Sequence, residues 1–378
     1  MSFASTLSEL ALKGNLRAIP ADATDRGVTD LSSNDYLGLG AMPELREEFF
    51  ETVSGNIPPL TSSASRLLSA SQSSYASLES LLGTLYGNRS CLLFNSGYHA
   101  NTGLFPALAS EPATLILADK LVHASMIDGI MLSRAPFKRF RHNDFDRLET
   151  LLEQESDNYE RIIVAVESVY SMDGDSADIA RLAELKKRYP KTLLYVDEAH
   201  AFGCCGPQGL GLCMASGHGA EVDVIVGTFG KAAASSGAFC ITSEEIREYA
   251  VNRARSFIFS TAIPPLNCAW TEFIVRRMTG MDEARAHLKA LSESLHCGLT
   301  RLGVAVKGSL PSHITPLIVG DPTRTVQLSG RMLERGFKVL PIRTPTVPPG
   351  TERLRISLSA SLSLSDMKRF INALTDSL

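Results

Sequence analysis

The segment Thr192-Leu-Leu-Tyr-Val-Asp-Glu-Ala-His200, followed by Val222-Asp-Val-Ile-Val-Gly-Thr-Phe-Gly-Lys231, decides the fold. Each piece is a short apolar run that ends abruptly in polar side chains, at Asp197 in the first and at Thr228 to Lys231 in the second. Apolar runs of this length fit strands buried on both faces, which occur in parallel sheets covered by helices. Working outward, Cys91 to Phe94, Thr114 to Ala118, Ile162 to Val166 and Ala238 to Thr242 repeat the pattern. They alternate with amphipathic stretches of helical length such as Asp178 to Arg188. The rhythm predicts βαβ units and an α/β architecture with a mostly parallel sheet.

From about Met281 the rhythm changes. A long helical segment ends near Arg301, and is followed by Ile314 to Val319, a helix from about Thr323, Phe337 to Leu340, Leu354 to Leu358 and a closing helix. The first forty residues read as a short helix, a loop from Pro20 to Gly27, and Leu31-Ser-Ser-Asn-Asp-Tyr-Leu-Gly38. The expected organisation is an N-terminal arm over 1–40, a large α/β domain over 41–280 and a small C-terminal α+β domain over 281–378.

Of the 378 residues, 44% are hydrophobic and 21% charged, with a formal net charge of −4. That balance describes an ordinary globular protein and lacks the basic surplus of a general nucleic-acid binder. No apolar run approaches the ~20 residues of a membrane span, and the first residues lack a signal-peptide pattern, so a cytoplasmic location is expected. Cys91, Cys204, Cys205, Cys213, Cys240, Cys268 and Cys297 form an odd set without zinc-type spacing, which suits a reducing compartment. Adjacent Cys204 and Cys205 read as loop thiols, and no metal site is expected.

In an open parallel sheet, ligands bind beyond the carboxyl ends of the strands, where loops and helix N-termini converge. Four junctions between an apolar run and a polar residue should share that rim: Asp119, Glu167-Ser168, Asp197-Glu-Ala-His200 and Thr228-Phe-Gly-Lys231. A lysine beside glycine at the edge of an apolar layer is easily desolvated and becomes a competent amine for a Schiff base, which describes Lys231. An aspartate under a pyridine nitrogen keeps it protonated so that the ring withdraws electrons, and Asp197 is the candidate. Taken singly, a strand-end lysine is more often a solvated charge and a strand-end aspartate a helix cap. Phe94-Asn-Ser-Gly-Tyr-His-Ala100 follows a strand and opens a helix, so the amides of Gly97 and Tyr98 could meet a phosphate. His123, shortly after a strand end, could stack on a flat cofactor or act on protons, although capping is the commoner role for such a histidine.

Val196-Asp-Glu-Ala-His200 also spells a helicase box, but such enzymes need G-x-x-x-x-G-K-[ST] upstream. Gly230-Lys231 comes after the box and is followed by Ala232, so a nucleotide-triphosphatase reading fails.

Together these segments resemble the α-oxoamine synthases, pyridoxal 5′-phosphate (PLP) enzymes of the aspartate-aminotransferase fold. The likeness runs in order through Ser32-Ser-Asn-Asp-Tyr-Leu-Gly38, Ser96-Gly-Tyr-His-Ala-Asn101, His123-Ala-Ser125, His142-Asn-Asp144, Ser171-Met-Asp-Gly-Asp175, Asp197-Glu-Ala-His200 and Gly227-Thr-Phe-Gly-Lys-Ala232. It continues through Phe257-Ile-Phe-Ser-Thr-Ala262 and Thr344-Pro-Thr-Val-Pro-Pro-Gly-Thr-Glu-Arg-Leu-Arg355. The resemblance implies a PLP-dependent transferase of fold type I, with a mostly parallel seven-stranded sheet in a large domain and a small C-terminal α+β domain.

It further implies that Lys231 bonds the cofactor, Asp197 pairs with its ring nitrogen and His123 stacks on the ring and serves as a base. Gly97, Tyr98 and Thr228 would lie near the cofactor, and Ser171 and His200 would touch its phenolic oxygen. Ser260 and Thr261 match positions that reach the phosphate in a partner subunit, which implies a homodimer. Arg355 would fix the amino acid carboxylate, and Arg17, Asn34 and Thr346 would line the substrate pocket. The implied reaction joins an amino acid to an acyl thioester with loss of carbon dioxide. Alanine with a pimeloyl thioester is favoured over glycine with succinyl-CoA or acetyl-CoA, over serine with a long-chain thioester, and over plain aminotransfer.

The chain departs from many relatives at Thr61-Ser-Ser-Ala-Ser-Arg-Leu-Leu-Ser-Ala70 and at Ala232-Ala-Ala-Ser-Ser236, where glycines are common. Both segments are expected to border the acyl substrate.

Overall fold

A computed structural model of the chain describes residues 2–17, 19, 27–70, 72–111, 113–304 and 312–378. The strands in chain order are β1 (Thr29–Asp30), β2 (Ser90–Phe94), β3 (Thr114–Asp119), β4 (Phe137–Phe140), β5 (Arg161–Glu167) and β6 (Thr192–Asp197). They are followed by β7 (Val224–Thr228), β8 (Ala238–Thr242), β9 (Ile314–Ile318), β10 (Phe337–Lys338), β11 (Leu340–Ile342) and β12 (Arg353–Ser357).

The chain divides into two compact units, one comprising Leu37–Tyr170 with Ser176–Arg285, the other Met1–Tyr36, Ser171–Asp175 and Ala286–Leu378. Met1–Tyr36 thus groups with the C-terminal segment. The reason is backbone pairing: β1 runs parallel to β10, Thr29 opposite Phe337 and Asp30 opposite Lys338. The loop expected at 20–26 lies outside the described residues.

The larger unit carries a seven-stranded sheet in the order β2-β8-β7-β6-β5-β3-β4. Only β8 runs antiparallel to its neighbours. Near-continuous Val, Ile, Leu and Ala make β3, β5 and β6 strands that face no water, and Ile116, Ile163 and Tyr195 are fully buried. The Gly97–Leu108 helix covers one face through Leu104 and Phe105, with the Phe105 ring stacked 4.4 Å from that of Tyr195. Side chains of this size contribute about 1.5–3 kcal/mol each on full burial.

Two local differences from expectation have clear causes. The strand expected over 222–226 begins at Val224, because the Asp223 carboxylate accepts the Leu194 N–H at 2.7 Å and Lys186 Nζ at 2.6 Å instead of pointing away from a sheet face. The residue reading also passed over β4, whose sequence Phe-Lys-Arg-Phe is mostly exposed at the sheet edge.

The smaller unit is built on an antiparallel sheet in the order β11-β12-β9. Its closing helix, Leu364–Thr375, starts from a capping box in which Ser363 and Asp366 satisfy each other's backbone N–H. Among the described residues no helix is long and apolar enough to cross a membrane.

Candidate active site

Because β3, β5, β6 and β7 are mutually parallel, their carboxyl ends form one rim. Asp119, Glu167, Asp197 and Thr228 are their last residues. A cavity of about 190 Å³ opens at this rim, lined by Gly97, Tyr98, His123, Asp197, His200, Thr228 and Lys231 among others. The cavity thus brings together the sequence-predicted residues of the larger unit, with the exception of Ser260 and Thr261.

Lys231 Nζ lies 2.8 Å from His200 Nε2. An amine at this distance from an imidazole nitrogen has a neighbour able to share its proton. Asp197 is 5% exposed, yet its hydrogen-bond donors are neutral: the Asn101 amide to Oδ2 and the Ala199 N–H to Oδ1, both at 2.9 Å. A buried carboxylate in neutral company calls for a cation. A protonated pyridine nitrogen is one.

His123 caps the Ala124–Ser133 helix, its Nδ1 accepting the Ser125 N–H at 3.2 Å and lying 2.8 Å from Ser125 Oγ. The residue is exposed to the cavity, but the protein around its ring still desolvates the charged form. That desolvation lowers its pKa below the ordinary 6.5, assisted by Lys231 and opposed by Asp197 and Asp128. The imidazole is held neutral. Gly97 and Tyr98 open the Gly97–Leu108 helix behind the Ser96 cap, so the positive end of that helix faces the cavity. The Tyr98 hydroxyl bonds to Asp128.

Ser260 and Thr261 lie elsewhere in the larger unit and line a separate cavity of about 20 Å³, where Asn95 Nδ2 donates to Thr261 O at 2.6 Å. The smaller unit holds Ser171, Arg17, Asn34, Thr346 and Arg355. There the buried Arg355 guanidinium donates to Ser171 O (2.6 Å), Asn34 Oδ1 (3.1 Å), Ser357 Oγ (2.6 Å) and Tyr36 Oη (3.3 Å), all neutral oxygens. Arg17 donates to Thr346 Oγ1 at 3.0 Å.

Glu198, next to Asp197, turns away from the cavity. Its Oε1 accepts the Leu212 and Cys213 N–H groups at 2.9 and 3.0 Å, and burial pushes its pKa up to about 7. The sequence reading gave no role to Asn101, Ser125 or Tyr195, which bond to one another or to Asp197 and His123. Their buried polarity is a tertiary property, and only the presence of Asn101 and Ser125 inside quoted motifs hinted at it.

The family model for class I and II aminotransferases matches residues 26–374. The chain belongs to that family. Within this aminotransferase family, it is 47% identical, over 98% of its own length and 97% of the relative's, to a Pasteurella multocida protein named "Putative 8-amino-7-oxononanoate synthase". A Neisseria meningitidis serogroup A protein of the same name is 45% identical, with 97% and 98% covered. A serine palmitoyltransferase variant from S. paucimobilis, solved with a PLP-myriocin aldimine, has a TM-score of 0.89 at 26% identity, covering 99% of this chain and 96% of that one. This aminotransferase-family chain is an α-oxoamine synthase, a PLP-dependent enzyme that transfers acyl groups with decarboxylation.

Proposed function

We propose that the chain condenses L-alanine with a pimeloyl thioester, carried on coenzyme A or a carrier protein, to give 8-amino-7-oxononanoate for biotin synthesis. The observation that carries the chemistry is the pairing of Lys231 with His200 in the cavity that also holds the cation-seeking carboxylate of Asp197. The choice of substrates is supported by the names of the 44–47% identical relatives. The reading includes a cytoplasmic homodimer, supported by an odd set of seven cysteines that suits a reducing compartment and by Ser260 and Thr261, which match positions that reach a partner's phosphate.

The donor set suits PLP: an amine for its aldehyde, a carboxylate for its ring nitrogen, an imidazole for its ring face and a helix N-terminus with Thr228 for its phosphate. Lys231, Asp197, His123, Gly97, Tyr98 and Thr228 would hold it, with Ser171 and His200 at the phenolic oxygen and Ser260 and Thr261 reaching the partner's phosphate. When bound there, PLP supplies an electron-accepting ring that stabilises negative charge at the amino acid Cα.

Arg355 fixes the alanine carboxylate, and a guanidinium fork suits that task better than an ammonium. Asn34, Thr346 and Arg17 line the substrate pocket. Lys231 Nζ, released by the incoming amino group, takes the Cα proton, with His123 as the other candidate base. The carbon then attacks the thioester carbonyl, the thiol leaves, and the carboxylate departs as carbon dioxide. His200 and Lys231 return a proton to Cα, and Lys231 recovers its place.

Borohydride reduction of the purified holoenzyme followed by peptide mapping tests the first half of this reading, with the adduct expected at Lys231. Thiol release with alanine, glycine or serine against a panel of acyl thioesters tests the second. Turnover of glycine and acetyl-CoA without turnover of alanine and pimeloyl-CoA would sink the substrate choice.

A further inference from the structure

Asn101 sits 1% exposed on the Gly97–Leu108 helix and uses every hydrogen-bonding hydrogen of its amide. One Nδ2 hydrogen goes to Asp197 Oδ2 and the other to Ser125 Oγ, each at 2.9 Å, while Oδ1 accepts the Tyr195 hydroxyl at 2.6 Å. The directions are forced. A carboxylate only accepts, so the nitrogen must face Asp197, and the Tyr195 proton locks the other end of the amide. Burial, then Cys240 and Asp197, raises the Tyr195 pKa well above 10, which keeps that proton in place.

The same logic extends to His123. The Ser125 N–H can only donate to His123 Nδ1, so Nδ1 is an acceptor and the ring proton resides on Nε2. Ser125 Oγ, which receives the Asn101 amide, is left to donate its own proton to Nδ1 at 2.8 Å. The fold admits this arrangement because Gly129 lets two helices close up: a Cβ there would fall 2.4 Å from Asn101 O.

Resting on the PLP reading above, we propose that Asn101 is the positioning residue that couples Asp197 to His123. One amide orients the carboxylate beneath the cofactor nitrogen and, through Ser125, sets the tautomer of the imidazole on the ring face. Neither partner is adjusted without the other. Aspartate here would oppose a second carboxylate to Asp197, and alanine would leave Asp197 Oδ2, Ser125 Oγ and the Tyr195 hydroxyl without this bond.

The experiment compares wild type, Asn101→Asp, Asn101→Ala and Tyr195→Phe. Each is titrated with PLP, the absorbance of the bound cofactor is followed against pH, and the apoproteins are unfolded in urea. The charged and titratable groups facing the coupled pair and its cavity are Asp197, Lys231, Asp128, His200, Glu167 and Tyr98. Both Asn101 variants are expected to bind PLP at least tenfold more weakly and to move the pH midpoint of the chromophore by a unit or more. Tyr195→Phe, which keeps its stack on Phe105 but leaves Asn101 Oδ1 without its donor, should move it in the same direction by less, with a smaller fall in urea midpoint than either Asn101 variant. In ¹⁵N-histidine-labelled apoprotein, His123 should change from the Nε2–H form to a mixture in Asn101→Asp. Wild-type chromophore titration and tautomer in the Asn101 variants would overturn the coupling. Failure of wild type to yield a Lys231 adduct would instead remove the PLP reading on which it rests, and the coupling with it.

Discussion

The guanidinium of Arg66 lies 4.3 Å from the centre of the Tyr75 ring and 3.2 Å from Glu79 Oε2. Arg66 is the bulkiest residue of the segment from Thr61 to Ala70, and its charge is turned into the protein. Glu79 Oε1 in turn accepts the Leu93 N–H at 3.4 Å, and the Ser62–Ala70 neighbourhood is joined to the Ser260 region by the Ser65–Thr261 bridge and the Ala262 N–H to Ala64 O bond of 3.0 Å. Leu67 and Leu68, by contrast, are exposed.

Removing Arg66 should therefore cost stability. Glu79 is mostly buried, and burial already raises its pKa despite Arg66 and Arg247. Arg66→Ala is expected to destabilise the chain by about 2 kcal/mol, since it leaves the buried Glu79 carboxylate with only the more distant Arg247, at 3.8 Å, for a cation. Leu67→Ala should change stability by no more than about 0.5 kcal/mol. Urea unfolding near pH 7 compares the two, and equal losses would contradict the assignment.

Glu198 predicts a pH dependence. Its pKa is raised from 4.5 to about 7 by burial, so the folded chain keeps a proton that the unfolded chain gives up. Its contribution is fully present below about 4.5 and is lost as pH rises through about 7, a change of about 3 kcal/mol. Glu198→Gln stays neutral and can still accept the Leu212 and Cys213 N–H groups. Wild type and variant should be close at pH 5, with wild type less stable at pH 8.5. Parallel stability curves across that interval would rule this out.

Ala234, three residues after Lys231, has φ of +43°, a backbone region that favours glycine. Its carbonyl receives Trp270 Nε1–H at 3.1 Å, which pins the turn. Relief of roughly 1 kcal/mol on Ala234→Gly is offset in part by greater unfolded-chain entropy, so the net gain should stay below about 1 kcal/mol. Ala234→Val should lose more than about 2 kcal/mol. Denaturant midpoints decide it, and a valine variant as stable as wild type would show that the turn is not constrained.

Arg355→Lys keeps the charge but cannot supply the fork that now serves Ser171, Asn34, Ser357 and Tyr36. The KM for the amino acid should rise roughly tenfold to a hundredfold, about 1.4–2.7 kcal/mol, with a smaller change in kcat. Steady-state rates at saturating thioester measure this, and an unchanged KM would remove Arg355 from carboxylate binding.

The strands that build the rim were legible because both their faces are buried, so apolar side chains run unbroken to Asp119, Glu167 and Asp197 and stop there. Lys231 and Asp197 were legible for the same reason. The edge strand β4 was not, since solvent on its outer side leaves Lys138 and Arg139 in positions that read as loop. Pairing between Thr29–Asp30 and Phe337–Lys338 involves two residues on each side, too few to leave a periodic trace. The separation of Glu198 from Asp197 could not be read either, because two adjacent carboxylates differ only in which backbone N–H groups the fold brings to them.

That same edge strand has a use. An open sheet border presents a row of backbone donors and acceptors that a neighbouring molecule could copy, and long apolar borders invite fibres. Lys138 and Arg139, exposed between Phe137 and Phe140, the first paired with Glu155, set charged side chains along this border, and a second border docking there would have to strip them of water before the backbones could zip together.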